Sequence, residues 1–304
     1  MSLLSTYRSN LGVNIAAKLA VLLGSLALVA AVVMSIWQSS VLDSMIREKG
    51  RLAASAGAYQ YGGILDQLID SGLLTVDEVF DRDYQEIKGY DWGKYPKYHT
   101  KYDSVTDQAV LAFQDQFLEN EDFVSAFGVD ENGYVPTHNA AFSKPLTGDA
   151  RKDVAGNVTK RKLDDLVGLS AAHNKLPTLA QAYSREDGVT VWDFSSPIEV
   201  KGRHWGAFRV AISSERVGSI KLRSILWLFA LFSLLGLISI LVSYSLISRA
   251  MGPVALLTSA ADQISLGEEL DTPLRSESPD EIGRLTRAVD RLRESMKAAL
   301  SRLE

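Results

Sequence analysis

The chain has 304 residues, a formal net charge of -5, 46% hydrophobic residues and no cysteine. That length fits one or two folded domains, and the lack of cysteine excludes disulfides, thiolate metal sites and covalently attached haem of the C-x-x-C-H kind. No nucleic-acid partner is expected.

In chain order, the first landmark is LAVLLGSLALVAAVVMSIW from Leu19 to Trp37, which carries no charge. A second uncharged run, ILWLFALFSLLGLISILVSYSLI, lies from Ile225 to Ile247. At about 1.5 Å per residue each is long enough to cross a hydrocarbon core of roughly 30 Å. The first is longer than a signal-peptide core of about 7 to 15 residues, so it reads as an uncleaved anchor. Arg8 and Lys18 precede it with no acidic residue, which places the amino terminus in the cytoplasm. The expected layout is therefore a tail over 1–18, a span over 19–37, an extracytoplasmic domain over 38–224, a span over 225–247 and a cytoplasmic segment over 248–304. The expected location is the bacterial inner membrane, with the domain in the periplasm or outside.

Within the outer domain the helical pattern continues past the first span through Val41, Met45, Leu52, Ala56, Tyr59, Leu65 and Leu68, so the membrane helix is expected to run into the domain. The aromatic stretch after Asp83 reads as loop, and a helix is expected over 104–118. FVSAFGVDENGYVPTH reads as two strands joined in a hairpin at Asn132-Gly133, a strong tight-turn signal. A long polar connection follows, with a short helix over 164–173. TLAQAYS, VTVWDFSSPIEV and RHWGAFRVAIS then read as three strands. The fold class is α+β, an antiparallel sheet with helices packed on one side.

The element order and the motifs DENGYVPTHN, KPLTGD and WDFSSPIEVKGRHWGAFRVAIS resemble the single Cache sensor domains, relatives of PAS domains, of bacterial methyl-accepting chemotaxis receptors. The resemblance covers roughly residues 84–213 and implies a small-molecule pocket between the sheet and the long connection. Aromatic walls with a few convergent polar groups suit small ligands. On that chemistry the candidate ligand-binding residues are Tyr98, His99, Tyr102, Tyr134, His138, Tyr183, Trp192, Asp193 and Arg209. Taken singly, each aromatic among them is better explained as core, and each charged group as solvated or paired. Strand alternation sets Trp192 and Phe194 opposite Val191 and Asp193, and Trp205 and Arg209 opposite His204 and Phe208. Aromatic residues beside Arg and Lys suit a small carboxylate or an amino acid.

All 4 histidines lie in the outer domain, but none shows metal-ligand spacing such as H-x-x-x-H, so neither a metal nor a cofactor is expected. Nor does the chain contain G-x-S-x-G, H-E-x-x-H, a Walker loop or G-x-G-x-x-G, and no enzymatic activity is expected. A trio such as His99, Asp103 and Ser143 arises by chance in a chain of this length.

Beyond the second span, Val254, Leu257, Ala261 and Ile264 keep a seven-residue seam, and Ile282, Leu285, Val289, Leu292 and Met296 form a stripe on a later helix. Pro253 suits the first turn of a helix. Pro253, Gly267 and Asp280-Glu281-Ile282-Gly283 resemble a HAMP module, the relay of many bacterial receptors. The resemblance implies a parallel four-helix bundle from two chains, hence a homodimer, with Pro253, Gly267 and Glu281 as relay residues. In the resembled receptors a coiled-coil hairpin, a kinase or a cyclase follows, and the few residues after Met296 are too short for any of these. The expectation is a receptor of small extracytoplasmic molecules lacking the usual output domain, acting on a cytoplasmic signalling partner or a longer receptor. The alternatives are a truncated chemotaxis receptor and a membrane-tethered binding module without signalling.

Overall fold

The computed structural model describes residues 2–90, 92, 95–185, 188–276 and 278–301. Its elements in order are α1 (Ser2–Asp70), α2 (Val76–Val79), β1 (Gln85–Glu86), β2 (Tyr98–His99), α3 (Asp103–Gln116), β3 (Phe123–Asp130), β4 (Tyr134–Val135), α4 (Ala150–Gly156), β5 (Arg161–Lys162), α5 (Leu166–Ala172), β6 (Leu179–Ser184), β7 (Thr190–Val200), β8 (Arg203–Ser213), α6 (Ser214–Ser265) and α7 (Glu281–Leu300). Two compact units result, one from 37–224 and one from 1–36 with 225–304. Two of the described helices are long and apolar enough to cross a membrane, Ala17–Asp70 and Ser214–Ser265.

The first of these units is built on an antiparallel sheet of order β3-β8-β7-β6. One face carries Trp192, Phe194, Phe208, Val210 and Ile212, which pack with Ala54, Ala58, Tyr61 and Leu65 of α1. Burial of this apolar area is the main source of the domain's stability. Glycines let the helix approach the sheet. A Cβ on Gly50 would enter the Phe194 ring, one on Gly57 would enter the Phe208 ring, and one on Gly128 would meet Tyr61. The other face of the sheet carries Phe127, Val129 and Ala207, covered by Val135 of β4 and by Leu163 and Ala172 of the long connection.

Three expectations are corrected. Strands β3 and β4 form no hairpin ladder, because β3 pairs with β8 and β4 pairs with β5. The cause is Asp130, whose Oδ1 accepts the N–H groups of Asn132 at 2.9 Å and Tyr134 at 3.0 Å, so the chain turns out of the sheet at Gly133 (φ 75). Strict alternation also fails on β8. Ile198 faces Gly206 while Glu199 faces His204, leaving Trp205 as an extra residue at a bulge. Trp205 therefore joins Phe208 in the α1-side core and donates its indole N–H to Val79 O at 2.9 Å. Third, no separate helix opens at Pro253, which lies inside α6. Proline removes one backbone hydrogen bond there, but the continuous apolar helix outweighs a single lost bond. Smaller differences are the β1–β2 pair within the aromatic stretch, the one-turn helix α2 and the two-turn helix α4, each too short to leave a periodic signal.

Candidate functional site

A cavity of about 170 Å³ lies on the sheet face opposite α1, between β3, β6, β8 and the long connection. Its apolar wall includes Phe127, Phe142, Val158 and Val167, and its polar groups include His138, Arg161, Asp165, Tyr183, Arg185 and Arg209. For scale, an engineered cavity of about 150 Å³ holds one benzene. Phe127 and His138 stack at 4.0 Å between ring centroids, and the Arg185 guanidinium covers the Phe142 ring at 4.6 Å.

The protonation of His138 follows from its bonds. Its Nδ1 accepts the Asn139 N–H at 2.8 Å, so the neutral ring carries its proton on Nε2. Burial pushes this histidine well below its ordinary range, and the positive charges of Arg185, Arg209 and Arg161 push the same way. The cavity thus gathers three guanidinium groups, one of them paired with Asp193, beside the Asp165 carboxylate. Burial also pushes the Tyr183 phenol up, keeping it a neutral O–H. Among the described residues neither Tyr183 Oη nor His138 Nε2 has a hydrogen-bond partner, so both remain available to a guest. Asp165 caps α5 by accepting the Gly168 N–H at 2.7 Å. Arg209, 2% exposed, forms a two-armed pair with Asp193, 1% exposed, at 2.9 and 3.1 Å.

The sequence candidates fall into three places. His138, Tyr183 and Arg209 line the cavity, and Asp193 sits behind Arg209. Trp192 is on the α1 side of the sheet, under the Arg47 guanidinium at 4.4 Å. Tyr98, His99, Tyr102 and Tyr134 belong to a separate polar network and do not line the cavity. In that network Tyr134 Oη shares its single proton between Asp103 at 2.9 Å and Tyr98 O at 2.8 Å, and His99 lies 3.2 Å from Asp103. Tyr102 and Tyr84 donate to the buried Asp130, at 3.1 and 2.7 Å. Sequence reasoning did not single out Arg161, Asp165 and Arg185. The basic run Lys160-Arg161-Lys162 was the available signal, but it sits in a connection without periodicity.

In the other unit, Leu257 and Ile264 of α6 are buried, whereas Leu256, Leu285 and Leu292 are 71%, 46% and 66% exposed. Gly267 ends α6 with φ 76, the left-handed conformation that favours glycine after a helix. Asp280 caps α7 by accepting the Gly283 N–H at 3.0 Å, and a Cβ on Gly283 would strike Ser278 O. Glu281 follows as the first helical residue and pairs with Arg284 at 2.8 Å. The connector is tied to α7 by Asp290, which accepts the Leu274 N–H at 2.9 Å, and by Arg293, whose guanidinium donates to Leu270 O.

Residues 246–298 match the HAMP domain family. No curated protein matches the chain. Among solved structures, the chain is similar to an extracellular ligand binding receptor from Desulfohalobium retbaense DSM5692, with 15% identity and a TM-score of 0.30 over 62% of this chain and 26% of that chain. The chain therefore spans about a quarter of that protein's length. Two membrane-length helices followed by a HAMP domain are the layout of a transmembrane sensor with a HAMP relay.

Proposed function

We propose that the protein is a homodimeric inner-membrane receptor that binds a small anion, a carboxylate or an amino acid, in the cavity between the sheet and the long connection. The observation that carries this reading is the convergence of Arg161, Arg185 and Arg209 on a pocket whose neutral donors, His138 Nε2–H and Tyr183 O–H, have no partner among the described residues. The carboxylate of the ligand meets the guanidinium field, and its body rests on Phe127, Phe142 and Val158. An amino acid would add its ammonium at Asp165. The single Cache fold, the extent of the sensor domain over 38–224 and the relay roles of Pro253, Gly267 and Glu281 belong to the same proposal.

The signal leaves along β8. Arg209 lies four residues before the end of that strand, and α6 begins at the next residue, Ser214. Ligand moves this connection only by binding two states of the receptor unequally. The HAMP helices then repack and address a cytoplasmic signalling partner or a longer receptor. Calorimetric titration of the full-length protein with small carboxylates, amino acids and their neutral amides tests the reading. Carboxylates are expected to bind and amides not to, with affinity reduced at least tenfold in Tyr183→Phe, about 1.4 kcal/mol for one hydrogen bond to a charged group. Equal binding of acids and amides, or of neither, overturns it.

A further inference from the structure

Ligand binding in the cavity leaves one buried amine of the outer unit unused. Lys97, just before β2, is 3% exposed, and its Nζ donates to Asn157 Oδ1 at 2.5 Å and to Thr159 O at 2.6 Å. Both acceptors are neutral, and among the described residues no carboxylate pairs with Lys97. Its charged neighbours are cations. Arg161 stands opposite Lys97 in an antiparallel bridge, and the charges of Arg161 and Lys160 both oppose an ammonium at Nζ. The nearby carboxylates are committed elsewhere, since Asp107 at 2.7 Å and Asp103 at 3.3 Å hold Lys160. Burial, with these cations, brings the Lys97 ammonium down to about 7, and a desolvated lysine beside other cations is an activated nucleophile. The Trp92 ring covers the amine, with its centroid 4.4 Å from Nζ. Its indole N–H is buried with no hydrogen-bond partner among the described residues, which is costly for a buried donor.

We propose that Lys97 is a carbamylation site, where Nζ takes up dissolved carbon dioxide and the carbamate formed draws Arg161 away from the ligand cavity. The amine lone pair attacks the carbon of carbon dioxide. A C–N bond forms as one C=O π pair moves onto oxygen, and the nitrogen gives one proton to water. One neutral amine and one carbon dioxide thus become one carbamate anion and one proton, with no oxidant or further reagent. Charge selects this electrophile. Acylation would leave a neutral amide and a carbonyl compound would give an imine, and neither supplies the anion that Arg161 and the Trp92 N–H are placed to bind. Size agrees, because Lys97 does not line the cavity and its burial admits only a small uncharged reagent. Arg161 does line the cavity, and Asn157 and Thr159 flank Val158 of its wall, so a charge reversal at Lys97 is felt there. That second half rests on the anion cavity of the proposed function.

The full-length protein is equilibrated at about pH 8 with isotopically labelled bicarbonate, treated with an alkylating oxonium salt that fixes carbamates as esters, and digested. The labelled ester is expected on the peptide carrying Lys97, absent in Lys97→Met and retained when exposed Lys101 is replaced in Lys101→Met. The digest separates it from the amino terminus, another amine partly neutral at that pH. Titration with acetate, lactate and glycine is then run with and without bicarbonate. Affinity in the parent is expected to fall about fivefold or more with bicarbonate and to stay unchanged in Lys97→Met. Equal weakening in Lys97→Met marks bicarbonate competing in the cavity and overturns the coupling. No labelled ester at Lys97 overturns the site and leaves the cavity reading untouched. A labelled Lys97 in a protein that binds none of the three probes overturns the cavity reading and the coupling and leaves the site standing.

Discussion

Replacing Arg209 by Leu separates the structural from the binding role of the buried pair. Arg209 and Asp193 are each almost fully buried and joined by two hydrogen bonds. Burial pushes the Asp193 carboxyl above its ordinary range, with Arg209 offsetting part of that cost. Removing Arg209 alone strands a buried carboxylate, which costs about 3–5 kcal/mol. For a domain of this size that is a fall in Tm of about 6–20 °C, at roughly 2–4 °C per kcal/mol. Arg209→Leu with Asp193→Leu removes both charges, and replacing a buried pair by apolar groups is nearly neutral, so the double variant should recover to within about 1 kcal/mol of the parent. Thermal unfolding of the full-length protein, followed by tryptophan fluorescence, measures the cycle, and titration with carboxylates measures binding, which both Arg209→Leu variants should lose. A single variant that loses less than about 1 kcal/mol, or a double variant that loses the sum of the two singles, would refute the argument that the pair's value lies in mutual neutralisation.

Two pH effects follow from other buried groups. Burial pushes the Lys97 ammonium down to about 7, and Arg161 and Lys160 repel it further. The unfolded chain then holds more protons between about 7 and 10.5, so the contribution of Lys97 to stability rises with pH across that window. Urea midpoints should show this rise in the parent and a flatter profile in Lys97→Met, and an unchanged slope in the variant would refute it. His138 works at lower pH. Its depressed folded pKa means that the unfolded chain takes up a proton first, so stability falls as pH drops below about 6.5, the ordinary histidine value. His138→Gln should remove that part of the acid loss while leaving the melting temperature at pH 8 within a few degrees of the parent. Equal acid sensitivity in parent and variant would count against a buried neutral imidazole.

Much of the architecture was legible because periodicity survives translation into structure. Val41, Met45 and Leu52 announced a helix continuing beyond the first span, and the alternation in RHWGAFRVAIS announced β8. The failures have local causes. A single extra residue at Trp205 reversed part of an alternation that was otherwise regular. Asn132-Gly133 did mark a turn, but the Asp130 carboxylate bent the chain away from its expected partner. Around the cavity, His138, Tyr183, Asp193 and Arg209 could be picked out as chemistry in or next to strands. Arg161 and Arg185 could not, because their positions depend on how an aperiodic connection folds over the sheet.

The rings seated against Gly50 and Gly57 give the two long helices unequal freedom within the outer unit. Sliding α1 by one residue, about 1.5 Å, would drive the Phe194 and Phe208 rings into neighbouring side chains, so α1 is keyed like a shaft in its housing. The start of α6 packs Val217 on the core but seats no ring against its glycine, since a Cβ at Gly218 meets nothing within 4 Å. It is held to α1 by the Lys221–Asp43 ion pair and to the β3 approach by Arg216 with Glu121, contacts that stretch and re-form at little cost. In the proposed relay α1 serves as stator and α6, which follows β8 without an intervening loop, as slider.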